Sequence, residues 1–250
     1  MAEDQSTPSP LEQEVDVSVE QPDTGDAPGA HGVVETLDEA GNVAVRATFE
    51  HGVLQGPAEM FADGVLVQQS TFVDGELHGE VNNYDAKGNL AQRAEFSRGK
   101  LHGTVETYDA GTMRSSATYN RGARHGLMRF YNEAGTLKGE AVYEHGELQG
   151  PAKWYDDNGS LARTSEYEAG RLSGRNVDYY PSGAVREVAH YRDNLPHGES
   201  ERYYEDGTLQ RRAVYKEGKL VEETEFDPDG DEMPEGKPGK KGLSRLAFWK

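Results

Sequence analysis

Five histidines recur at one position: His31, His78, His102, His125 and His197 each directly precede a glycine. A row of imidazoles invites a metal-binding reading. If the five sit at equivalent places in successive two-strand units, neighbours lie ~10 Å apart. Zinc holds its nitrogens ~2 Å away, so no two of them share an ion in a flat sheet. Gln55, Gln149 and Ser173 fill the same position elsewhere, which points to a turn residue rather than a ligand. Asp227, Asp229 and Asp231 spell D-x-D-x-D. A calcium loop of the EF-hand type wants Gly at its sixth place and Glu at its twelfth; here Glu232 and Pro238 stand there. Asp156 and Asp157 read as ordinary turn residues. No nucleophile elbow or phosphate loop is present, and every Ser or His that might act as nucleophile or base falls in a repeated position or a tail. The expectation is a protein that is not an enzyme and uses no cofactor or metal.

Residues that break the repeated pattern point instead to contact. Phe130 and Trp154 occupy a position that elsewhere holds Asn83, Thr107, Asp178 or Arg202. In a regular sheet they would lie ~10 Å apart on one face, and Trp is enriched at interface hot spots. A second candidate is the end of the chain. Leu243, Leu246, Phe248 and Trp249 lie among Lys240, Lys241, Arg245 and Lys250. Eight residues are too few for a stable helix alone, so LSRLAFWK would order only against a partner groove, the array itself or an anionic membrane surface.

The elements that position these residues come from a repeat. Gly32, Gly56, Gly79, Gly103, Gly126, Gly150, Gly174 and Gly198 follow one another at steps of 23 or 24 residues. A second Gly lies eight or nine residues on, and a third position eleven further carries Gly in seven copies and Asn194 in the other. The short copies lose their residue between the first and second Gly, where a turn can absorb it. Between the glycines the chain reads apolar, x, variable, x, small, x, aromatic, as in Leu209, Arg211, Ala213 and Tyr215. The small register runs from Ala47 to Ala213 and the aromatic one from Phe49 to Tyr215. Their shared parity places them on one face of a strand. A second aromatic register follows the first Gly by five residues: Phe61, Tyr84, Tyr108, Tyr131, Tyr155, Tyr179 and Tyr203, with Leu37 in the first copy. Each copy is therefore two short strands joined by Gly-containing turns. Short connections make the strands antiparallel neighbours.

The fold class expected is all-β: an elongated, twisted antiparallel β-meander of eight to nine hairpin repeats over residues 31–230. An acidic tail, 1–30, precedes it and a basic-aromatic tail, 231–250, follows. The first tail carries eight acids and no base, and its composition is that of an unfolded segment. Within it, LEQEVDVSVE alternates Val with polar residues, the pattern of an edge strand.

The glycine and tyrosine spacing resembles MORN repeats, and more closely the MORN-variant repeats of the bacterial YwqK-family antitoxins. The resemblance covers about Gly32 to Gly230. It implies a protein-binding module that neutralises a toxin as an antitoxin or immunity protein. The alternative it implies is a membrane-associated scaffold, or an adaptor or effector working through the C-terminal tail. The net charge of −19 argues against nucleic acid, whose backbone needs Lys and Arg, and favours a basic protein partner or plain solubility. The repeats hold −13 of it, so a membrane surface is expected to act only on the tail, which carries +2. The absence of Cys suits a reducing cytoplasm.

Overall fold

A computed structural model describes residues 19–20, 22–23 and 29–234. Among these the chain forms 18 antiparallel strands and no helix. It divides into two compact units. The N-terminal unit holds 29–135 and 143–146 with the short stretches at 19–23; the C-terminal unit holds 136–142 and 147–234. Most of the C-terminal tail, with Leu243, Leu246, Phe248 and Trp249, lies outside the described residues.

The N-terminal unit contains β1 (Gly32–Leu37), β2 (Val43–Glu50), β3 (Val53–Ala62), β4 (Val65–Val73), β5 (Glu76–Leu77), β6 (Gly79–Tyr84), β7 (Leu90–Ser97), β8 (Lys100–Asp109), β9 (Thr112–Asn120) and β10 (Ala123–Tyr131). Strands β5 and β6 are one repeat strand interrupted at His78. β11 (Leu137–Glu144) falls at the division. The C-terminal unit continues with β12 (Glu147–Tyr155), β13 (Leu161–Glu168), β14 (Arg171–Tyr179), β15 (Val185–Arg192), β16 (Leu195–Tyr203), β17 (Leu209–Lys216) and β18 (Lys219–Glu225). In each unit a strand pairs with its sequence neighbours. This is the meander that short turns demand.

Three local devices build each copy. The turn at the third Gly has two residues at positive φ, such as Arg98 (51°) and Gly99 (70°). That is the two-residue hairpin geometry whose twist matches the strands. The turn N–H then donates to the leucine-register carbonyl of the strand beyond: Gly99 to Leu77 at 2.9 Å, Gly122 to Leu101 at 2.8 Å. Asn194 takes the Gly role at φ 65°. Its N–H donates to the Leu172 carbonyl, and its Oδ1 accepts the Leu172 N–H at 2.7 Å.

Where the longer second turn begins with Asp or Asn, that side chain ties it. Asp85 Oδ1 accepts the N–H groups of Lys87 and Asn89, an Asx turn. Asp227 does the same for Asp229 and Asp231, which gives the D-x-D-x-D run its structural role. The two short copies instead close with two positive-φ residues, Asp63–Gly64 and Ala110–Gly111. The missing residue is thus removed by exchanging one turn type for another.

The third device is a bulge at the first Gly. Ala94 faces Val105 and Phe96 faces Leu101, so three residues around Gly103 stand opposite Glu95 alone. In the equivalent place Glu166 Oε2 accepts the N–H of Arg175 that the bulge releases.

The small register is buried in every copy, from Ala47 to Ala213. It faces Ala58, Val81, Val105 and Met128 in the N-terminal unit, and Ala152, Asn176 and Ser200 in the C-terminal one. The aromatic register behaves differently in the two units. Phe49, Phe72, Phe96, Tyr119 and Tyr143 are buried, whereas Tyr167, Tyr191 and Tyr215 are half-buried. The second aromatic register lies half-buried on the other face. There Tyr84 donates to Gln69, and Tyr108, Tyr155 and Tyr203 donate to Glu106, Glu140 and Glu201. A bonded hydroxyl accounts for Tyr over Phe at these four positions.

Candidate interaction face

Two registers vary from copy to copy while their surroundings stay fixed: the variable strand position and the residue before the second aromatic. The structure pairs them with each other. In the N-terminal unit the pairing runs Val45–Met60–Gln68–Asn83–Gln92–Thr107–Ser115–Phe130. In the C-terminal unit it runs Trp154–Arg163–Asp178–Glu187–Arg202–Arg211–Glu225. Both rows lie on the face of the small and aromatic registers, since they share their parity.

In the N-terminal unit the row is uncharged. Asn83 Nδ2 donates to Gln92 Oε1 at 3.0 Å, and the Thr107 and Ser115 hydroxyls meet at 2.7 Å. In the C-terminal unit it is ionic. Arg163 and Arg186 both donate to Asp178, the latter at 3.1 Å. Arg202 donates to Glu187 at 2.8 Å, and Arg211 to Glu223 and the Tyr215 hydroxyl. Burial pushes the Asp178 carboxyl up, but the hydrogen bonds and charges of Arg163 and then Arg186 outweigh it and hold it below the usual carboxylate range. Burial, with the Glu187 charge next, pushes the Tyr191 phenol up. Cross-strand opposite charges of this kind stabilise a sheet by several tenths of a kcal/mol each. Along the row the charges run Arg, Asp, Glu, Arg, Arg, Glu, so two like pairs also face each other, Asp178 with Glu187 and Arg202 with Arg211.

Phe130 and Trp154 fall in different units, each half-buried. Phe130 faces Ser115. Trp154 faces Arg163, and its ring lies 6.4 Å from that of Tyr167. Trp154 thus opens the ionic row.

The structure corrects the turn reading of the histidine position: Gln55, His102, His125, Gln149, Ser173 and His197 lie within β3, β8, β10, β12, β14 and β16, directly before the bulged Gly. Gln55 and Gln149 accept the backbone N–H of Asp74 and Ala169 through their side-chain oxygens. His31 and His125 instead meet a second histidine of the same copy, His51 at 5.7 Å and His145 at 5.5 Å. No third metal-ligating group joins either pair among the described residues. Sequence reasoning also passed over Arg124, which stands where other copies have Leu54, Leu77, Leu101, Leu148 or Leu172. Its guanidinium lies 5.2 Å from the Tyr143 ring centre and faces Tyr119. A cation in a register that otherwise holds Leu, with Ala30 and Pro196 in the end copies, was the available signal.

The profile of the MORN repeat variant matches residues 124–145, 148–169 and 196–217. Those three stretches, about a quarter of the chain, are similar to MORN-variant repeats. No curated protein matches the chain. Among solved structures, a mutant of S. aureus TarM in complex with fondaparinux, alpha-GlcNAc-glycerol and UDP is 10% identical. It covers 48% of this chain and 19% of that one at a TM-score of 0.23. The GtfA/B complex bound to UDP and GlcNAc is 15% identical, with 44% and 22% covered and a TM-score of 0.21. The TcdB2-TccC3-Cdc42 structure is 12% identical, with 78% and 14% covered and a TM-score of 0.19. At such scores these likenesses carry no argument.

Proposed function

We propose that the chain is a non-catalytic protein-binding module, and that the ionic row of its C-terminal unit receives a basic protein. The supporting observation is that two registers free to vary between copies pair into one row. A repeat framework thereby presents a different side chain at each step without altering its backbone. Trp154, the arginines and the half-exposed Tyr167, Tyr191 and Tyr215 are the residue types that dominate interface energetics. The chain's net charge of −19 attracts a cationic surface over a distance set by the salt. In the finer version, carried by the resemblance to YwqK-family proteins, the partner is a toxin and the face occludes it.

The test is co-expression with the product of a toxic neighbouring gene, using the wild type and Trp154→Thr. Thr stands at this position in another copy, as Thr107, so the framework accepts it. Rescue of growth by the wild type and its loss in the variant are expected, as is capture that weakens with salt. Equal rescue by both would move recognition off this face. No rescue would remove the toxin version.

A further inference from the structure

The described residues near the start of the chain lie on the core face of the N-terminal unit. Val19 lines a hollow of about 640 Å³ together with Leu77, Phe96, Leu101 and Ala123. The carbonyl of Glu20 accepts a hydrogen bond from Gln68 Nε2 at 3.1 Å. Gln68 is a member of the uncharged row and is itself 5% exposed. Pro22 is buried. This unit is also where the aromatic register is most deeply covered.

We propose that this hollow is a binding groove for an extended acidic-apolar segment, and that its occupant is the chain's own residues 11–20, LEQEVDVSVE. Three observations carry it. First, Val15, Val17 and Val19 alternate with Asp16, Ser18 and Glu20. An extended chain presents the three valines on one side, and at ~3.3 Å per residue they span about 13 Å. Second, Lys100 and Arg121 border the hollow; both are exposed, and neither has an ion-pair partner among the described residues. The segment supplies Glu12, Glu14, Asp16 and Glu20. Third, Gln68 reads a backbone carbonyl, the contact by which amide side chains hold an extended peptide regardless of sequence. In this proposal Val19 forms part of the wall, the two valines before it enter the hollow, and the acids meet its cationic edge.

The experiment measures binding of a dye-labelled peptide of residues 11–23 to full-length chains. One is the wild type; the other carries Val15→Asp, Val17→Asp and Val19→Asp. In the wild type the tethered copy competes at an effective concentration near millimolar, so the variant should bind the peptide roughly tenfold or more tighter. Adding Lys100→Glu and Arg121→Glu to the variant should weaken that binding, as should high salt. Val17→Asp alone serves if the triple variant loses its far-UV signature. Equal binding by wild type and variant, or no binding by either, overturns the proposal. A dimer of the wild type that separates in the variant also overturns it, by assigning the segment to a second copy's groove.

Discussion

Asp178→Asn removes a charge and almost no volume from the centre of the ionic row. The carboxylate is 10% exposed and faces two guanidinium groups, Arg163 and Arg186. At ~3 Å and an effective dielectric of ~20, each contact has a gross Coulomb energy of about 5 kcal/mol. Desolvation offsets most of it. Removing one partner of a fully buried pair costs ~3–5 kcal/mol, because the other charge is stranded. Here the side chains of Arg163 and Arg186 are 36% and 47% exposed. They can turn toward water, so the expected loss is about 1.5–3 kcal/mol. Urea unfolding followed by near-UV circular dichroism, with hydrogen exchange over β13–β15, would measure it. The pH dependence is the stricter check. A carboxyl held below its unfolded value of ~3.9 contributes stability that is present above that value. The contribution is lost as pH falls through the lower, folded value. The gap between wild type and Asp178→Asn should therefore be full at neutral pH and close in acid, where a protonated Asp resembles Asn. A gap under about 0.5 kcal/mol at neutral pH, the size of an ordinary surface change, would refute the reasoning. So would a gap that stays constant into acid.

Two further outcomes follow from the turns and bulges. Gly103→Ala meets both a φ of 94° and the Glu95 side chain, whose Oε2 would lie 2.0 Å from the new Cβ. Gly79→Ala meets only the strained φ of 89°, a cost of ~1–2 kcal/mol. Gly103→Ala should be the more destabilising in a thermal melt, and Glu95→Ala in the same chain should bring it to the level of Gly79→Ala. Ala169 sits at φ 49° directly before Gly170, where Asn is favoured. Ala169→Asn should raise the unfolding midpoint by the equivalent of ~0.5–1 kcal/mol, and no change or a decrease would argue against the turn geometry.

The framework was legible because its constraints are local. A residue at positive φ selects Gly, a half-buried strand alternates, and a 23-residue step beside a 24-residue one marks where a turn shortens. Asn194 could be placed in a Gly register for the same reason. The second aromatic register was less legible: period alone does not separate a buried Tyr from one whose hydroxyl meets a carboxylate on the open face, as Tyr108 meets Glu106. The row of paired variable residues was legible only in halves. Each register could be seen to vary, but the bulge at the first Gly shifts the strands against one another. Which variable residue faces which is therefore set by that shift. Histidine pairing was hidden likewise, because His125 meets His145 across a whole hairpin.

The two ends of each hairpin carry different rules of growth. At the third-Gly end all eight copies keep the same two-residue corner, since its N–H is committed to the carbonyl of a strand beyond. At the second-Gly end the corner already exists in two lengths, and among the described residues no backbone N–H of it is committed to a strand beyond; only the Tyr180 and Tyr204 hydroxyls reach out, to the carbonyls of Tyr203 and Phe226. Length is thus free to drift along one margin of the sheet and frozen along the other. A graft, a tag or an evolving loop would be accepted at 86–87 or 157–158 and rejected at 98–99 or 121–122. The same sheet offers one margin for novelty and keeps the other as its spine.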